Sequence, residues 1–434
     1  MGTASAGDTG TKDAPDAPDA PDAQDGDGRL ISAVRARDTG LVRALLRGDV
    51  NPGERERAFC LAVRSYDGHV AQLLLQYGAE PFRCAPDELL PLREAVERGS
   101  PALVEALLDD SILERHPESE LQDVRDLARH WHETGAEAGL RSRTGSRDAV
   151  VRTRLPDDEY NSVDEFTLGG MGVRDGHGAI LTHLEQLLGI RTPFEALMNR
   201  ALPHARQDHP AWGSAAIRLA NRRDRATWTT AAALRAHPDR SHRLFGAEVL
   251  RLTHLFDDSD EDAYALPALD IFTPWSAAET DVAVLTEVLV ALGEHCDLRA
   301  EAALLPHTGH PDARVRRAVA GGLNDLGSPA AFSGDARTAL LRLMADPDAV
   351  VRKAACHTVA GGRDHDPVFA EAMAALLDDT DRMVRLSAVY GLALHDDERC
   401  VEAARLLGPA QRGSEEEEGY LDAVWRYEWR RDGR

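Results

Sequence analysis

Apolar positions along the chain recur with a helical period almost throughout, and whole patterns repeat at steps near thirty residues. AVRARDTGLVRALL, AVRSYDGHVAQLLL and AVERGSPALVEALL begin at Ala33, Ala62 and Ala95. Each carries paired leucines 12 and 13 positions on: Leu45/Leu46, Leu74/Leu75 and Leu107/Leu108. A small residue on one short helix facing leucines on the next predicts helical hairpins that stack closely. Gly78, with Pro81 beyond it, predicts where the second hairpin stops.

Past residue 178 a second pattern takes over. Val315, Val351 and Val384 each have an aspartate three residues before (Asp312, Asp348, Asp381) and an arginine one after (Arg316, Arg352, Arg385). Small residues follow at plus three (Ala318, Ala354, Ser387) and aliphatics at plus eight (Leu323, Val359, Leu392). A fourth copy sits around His242, with Asp239 and Arg243, and a fifth starts at Asp281, where Leu285 replaces the arginine. The aspartate is suited to cap a helix, and the later positions make one apolar stripe. Second helices such as DARTALLRLMAD and PVFAEAMAALLDD lie between copies, so stacking is needed to enclose the apolar faces.

The first pattern resembles ankyrin repeats, although no unit carries the T-P-L-H opening. The second resembles HEAT repeats of the short bacterial type also found in phycobilisome lyases, over roughly residues 195 to 408. The fold expected is all-α, two stacked helical-repeat solenoids forming an elongated molecule. Residues 1–28 read as a disordered Asp/Pro tail, 29–110 as ankyrin-like repeats and 179–410 as the HEAT-like array. Between them, residues 111 to 145 read as a helix running into a basic loop (Arg141, Arg143, Arg147), followed by a small β-hairpin around Gly169 and Gly170. Residues 411–434 read as an acidic linker and a short amphipathic helix with Leu421, Val424, Trp425 and Tyr427 to Trp429, which would cap the array or dock a partner.

Composition narrows the function. The 434 residues hold 74 acidic and 50 basic side chains, a net charge of −24, which disfavours nucleic acid and anionic membrane as partners. Lys12 and Lys353 are the only lysines, a bias that fits a GC-rich bacterial genome. Five scattered cysteines (Cys60, Cys84, Cys296, Cys356, Cys400) without a C-x-x-C pair fit reduced thiols in a cytoplasm. Aromatics at 5% suit stacked helices better than sheets.

Motifs for phosphate, dinucleotide, zinc-protease or serine-hydrolase chemistry do not occur, and GGMGVRDGHG follows no βαβ pattern. The acidic run Asp257–Asp262 lacks the glycine and closing glutamate of a calcium loop. The 17 histidines include no i, i+4 pair with a third ligand in view, so no metal or cofactor is expected. Arg316, Arg352 and Arg385 read as a ladder to the motif aspartates of adjacent repeats. Arg222 and Arg223 crowd beside Trp228, either as a solvated helix end or as a grip on phosphate or an acidic peptide.

The reading that follows is a non-catalytic scaffold or adaptor. It would hold another protein or an extended peptide on a concave face, expected to include Arg337, Arg342, Glu371 and Asp378. Two alternatives come with the HEAT resemblance: an enzyme on DNA of the alkylpurine DNA glycosylase kind, and a lyase or chaperone of the phycobilisome-lyase type. The first would need a basic groove, the second a reactive acid or cysteine within one.

Overall fold

A computed structural model describes residues 28–79, 90–108, 112–204, 206–257, 263–295, 297–324, 332–362, 366–411 and 414–432. The acidic tail before Gly28, Pro81, Cys84, Cys296 and the run from 258 to 262 lie outside the described residues.

Three helical hairpins open the chain: α1 (Arg29–Arg35) with α2 (Thr39–Leu46), α3 (Pro52–Arg64) with α4 (Gly68–Gln76), and α5 (Leu90–Arg98) with α6 (Pro101–Leu107). Each second helix starts at a side-chain cap. Asp38 accepts from the Leu41 N–H, Asp67 from that of Val70 and Ser100 from that of Leu103. Ala33, Ala62 and Ala95 are all buried where the paired helices approach, as their small size requires.

The expected helix over 111–145 is instead three pieces: α7 (Ile112–Arg115), α8 (Glu118–Thr134) and α9 (Ala136–Thr144). Gly135 at φ +80° breaks the last two apart, a conformation side-chain-bearing residues avoid. The hairpin at Gly169 and Gly170 forms and gains a third strand. β1 (Val151–Pro156), β2 (Ser162–Leu168) and β3 (Met171–Arg174) are antiparallel in that order. Leu168 and Val173 bury one face of this sheet against Trp131 and Leu140 of α8 and α9.

The remaining helices form two rows. One holds α10 (His177–Leu187), α12 (Pro210–Ala220), α14 (Arg240–Leu255), α16 (Val282–Gly293), α18 (Ala313–Gly322), α20 (Ala349–Gly361), α22 (Arg382–Leu394) and α24 (Glu415–Asp432), each packed on the next. The other holds α11 (Phe194–Ala201), α13 (Arg225–Ala233), α15 (Ala265–Ala278), α17 (Leu298–Leu304), α19 (Gly334–Met344), α21 (Pro367–Ala375) and α23 (Arg399–Leu407), whose members touch one another far less. Their joint core begins at Phe194, whereas Ile180, Leu181 and Leu184 of α10 pack with the N-terminal hairpins. Tyr420, Ala423, Val424 and Tyr427 bury one face of α24 on this core, leaving Trp425 and Trp429 exposed on the opposite side.

The repeated motif helices are α14, α16, α18, α20 and α22, each capped by its aspartate (Asp239, Asp281, Asp312, Asp348, Asp381). The arginine ladder exists with a different acid. Arg243 bonds Glu279, Arg316 bonds Asp346 and Arg352 bonds Asp379, each acid lying two residues before the next motif aspartate. The motif aspartates are committed to backbone N–H groups instead. Where Leu285 replaces the arginine, the corresponding acid is His310, so both halves of that rung are missing together. Helix α24 also meets α2 of the first hairpin through ion pairs of Arg43 and Arg47 with Glu415 and Glu418.

Candidate functional site

Helices α16, α18, α20 and α24 enclose a groove of about 740 Å³ on the side of the motif row. Its floor is made of small side chains because the sequence puts glycine and alanine there. A Cβ on Gly293 would lie 2.5 Å from the Gly322 Cα, so α16 and α18 cross backbone to backbone. A Cβ on Gly321, one residue earlier, would meet nothing within 4 Å and would point into open space. Ala318 and Ala354 extend this floor, and Tyr420 of α24 closes one end.

One wall is acidic and internally bonded. Arg251 donates from Nε to Glu287 (2.6 Å) and from Nη1 to Glu294 (2.8 Å). The Trp212 indole N–H donates to Glu248 (2.6 Å), and the Gln207 amide donates to both Glu248 and Glu287 at 2.9 Å. Glu287 and Glu294 thus share one guanidinium, while Glu248 bonds only neutral donors. Burial, then the charge of Glu287, pushes the Glu248 carboxyl up to about 7. Burial also raises Glu294, whose buried Oε2 accepts no hydrogen bond.

The opposite wall is cationic. Arg314 is held by Asp312 (2.8 Å) and Lys353 by Glu416 (2.5 Å), while Arg317 is exposed and makes no ion pair among the described residues. His357 lies parallel to Tyr390 at 5.7 Å, and burial followed by the Lys353 charge lowers its pKa. The groove therefore offers neutral small-residue floor, one acidic wall and one basic wall. Cys356 and Cys400 are no nucleophiles at neutral pH, since burial pushes both thiols up to about 12.

None of the residues expected to bind a partner lines this groove, because the motif helices, and not the helices between them, face it. Arg337 sits on α19 beside Asp366 and over the Phe369 ring. Arg342 is exposed on the same helix, Glu371 on α21 pairs with Arg399 (3.0 Å), and Asp378 is exposed in the turn after α21. Arg222 is half-buried and Arg223 is exposed. They donate to the carbonyls of Thr192 and Phe256, and Trp228 lies 4.9 Å from Tyr264 with the rings tilted by 42°. What sequence reasoning missed was the pair Gly321–Gly322: two glycines ending an apolar helical stripe signal both a close crossing and an open floor. It also missed that Asp175 comes together with His204 and His209, which follow it about thirty residues later.

The family of HEAT repeats matches residues 270–360, from α15 into α20, which include the aspartate caps at 281, 312 and 348. This stretch has HEAT-repeat character. No curated protein matches the chain. Among the described residues, no helix is long and apolar enough to cross a membrane.

Proposed function

We propose that the protein is a non-catalytic scaffold: an ankyrin-like solenoid followed by a HEAT-like one, holding an extended segment of a partner protein in the α16–α18–α20 groove. The observation that carries this reading is the pairing of an open glycine floor with walls of opposite charge. A peptide backbone fits over Gly321 and Ala318, while its side chains meet Glu294 on one wall and Arg317 on the other. HEAT repeats generally serve as protein-interaction scaffolds, which supports the same reading. A DNA-acting enzyme would want an unbroken cationic track, and Glu287, Glu294 and Glu416 interrupt it. A lyase would want a reactive cysteine or acid at the floor, where this chain has glycine and alanine.

Gly321→Leu puts bulk into the groove at a position where a Cβ meets nothing within 4 Å, and Gly334→Leu adds the same bulk at an equally open position on α19. Partners captured from native cells by the wild-type protein and by Gly334→Leu, but lost with Gly321→Leu, support the reading. Equal capture by all three places the binding surface elsewhere. Tight duplex DNA binding that collapses with added salt replaces it with the DNA-acting alternative.

A further inference from the structure

The seam between the two halves brings together a carboxylate and two imidazoles from three separate elements. Asp175 follows β3, His204 ends the turn after α11, and His209 caps α12. The His209 Nε2 lies 3.1 Å from one Asp175 oxygen and the His204 Nδ1 lies 3.5 Å from the other. All three donor atoms fall within 4.8 Å of one another, and the two rings are parallel at 3.7 Å. In a tetrahedral zinc site with bonds near 2.0–2.1 Å, neighbouring ligand atoms stand roughly 3.3 Å apart. The two separations, one to each Asp175 oxygen, lie on either side of that edge.

We propose that Asp175, His204 and His209 form a divalent-cation site of the zinc class, with two nitrogens and one oxygen as ligands. His209 is buried, whereas Asp175 and His204 line a cleft with Trp131, His132 and Phe166, so the remaining position opens to that cleft and takes water. The ligands are held from outside. The Asp164 N–H donates to Asp175 (2.9 Å), and the Ser162 N–H donates to the Asp208 carbonyl (2.8 Å). The loop carrying His209 is thereby fixed to β2, as a preorganised site requires.

One contact works against the ion and sets the expected strength. The Ala211 N–H donates to His209 Nδ1 at 3.2 Å, which places the ring proton on Nε2, pointing at Asp175. Metal binding switches the tautomer: the Nε2 proton passes through solvent to Nδ1, which becomes the N–H that faces Ala211, and the metal takes the freed Nε2 lone pair with no net change in protons on the ring. Losing that bond lowers affinity by about 10- to 100-fold relative to a site whose second nitrogen faces a carbonyl. The site is therefore an exchangeable one.

The full-length protein, stripped with a chelator, is titrated with cobalt(II) as a spectroscopic stand-in for zinc. Expected are a visible d–d band of low-coordinate cobalt saturating at one equivalent, its displacement by zinc, and a rise in melting temperature. His204→Gln removes one ligand and abolishes the band, and a cooperative metal-free melt shows that the variant is folded. Asp175→Asn abolishes it too, and His204→Gln decides the matter if that variant does not fold. Absence of a saturable band in the wild type overturns the proposal, as does a band that persists unchanged in His204→Gln.

Discussion

The Arg47 guanidinium on α2 lies 2.7 Å from the Glu415 carboxylate at the start of α24, across 368 residues of sequence. Arg43 joins the same cluster, 3.0 Å from Glu415 and 3.5 Å from Glu159 in the turn between β1 and β2. Three parts of the chain thus converge on one patch, where the far end of the array closes onto the first hairpin.

These pairs are half exposed, so salt screens them strongly. Raising ionic strength toward about 1 M, where the screening length falls to about 3 Å, is expected to open the closure. So is the double reversal Arg43→Glu with Arg47→Glu. Fluorophores on α1 and α24 should move apart and the radius of gyration should grow, with melting unchanged because each half keeps its own core. An end-to-end distance indifferent to both treatments would show that the contact does not hold the closure.

The ladder arginines should matter more for stability. Arg352 donates to both oxygens of Asp379 (2.7 and 2.8 Å) and to the carbonyls of Asp346 and Pro347. Arg352→Ala removes charge-assisted bonds at a part-buried seam and should cost about 1–3 kcal/mol by denaturant titration. Arg385→Ala, which loses bonds to the carbonyls of Asp379 and Thr380, should cost less. The Arg352 hydrogen bonds hold the Asp379 carboxyl below the ordinary aspartate range. That stabilisation is complete above about pH 4 and is lost as pH falls through the depressed folded value. Arg352→Ala should therefore flatten the acid limb of the stability profile, and a limb as steep as wild type would remove Asp379 from the account.

Much of this was legible in the sequence because repetition carries its own alignment. The aspartate caps, the buried valines and the small plus-three residues follow from local spacing alone. The groove between α16, α18 and α20 lies on the motif row and not on the row expected to bind, because periodicity says which face of a helix is apolar, not which of two helix rows packs more tightly. Direct packing of α16, α18 and α20 depends on Gly293 meeting Gly322, a contact between repeats. Arg222 looked solvated for the same reason, since its partner is the carbonyl of Thr192, thirty residues away. The Asp175–His204–His209 cluster joins loops whose approach no local pattern announces.

Glu248 should make stability depend on pH in the opposite sense to Asp379. Burial first, and Glu287 second, favour its protonated form in the fold, up to about 7. An acid raised in this way contributes fully below about pH 4 and loses that contribution as pH climbs to the folded value. Glu248→Gln keeps an oxygen to accept from Trp212 and Gln207 and cannot ionise. The variant should match wild type near pH 4 and exceed it above pH 7 by about 1–3 kcal/mol. Equal stability at both ends would mean that Glu248 ionises freely in the fold.

Two glycines on the groove floor should respond to the same substitution with opposite signs. Alanine is the better helix former by about 1 kcal/mol at an interior position, so propensity alone favours it at both. At Gly321 the new methyl meets nothing within 4 Å, and Gly321→Ala should be neutral or stabilising by up to about 1 kcal/mol. At Gly293 the methyl would stand 2.5 Å from the Gly322 Cα, a backbone atom that cannot swing aside. Helices α16 and α18 must then separate, loosening Leu289, Leu292 and Val319 of the shared core. Overpacking of this kind costs about 1–3 kcal/mol and outweighs the propensity gain. Denaturation midpoints should therefore fall for Gly293→Ala and hold or rise for Gly321→Ala. The reverse order would mean that the close crossing does not set the spacing of the groove walls.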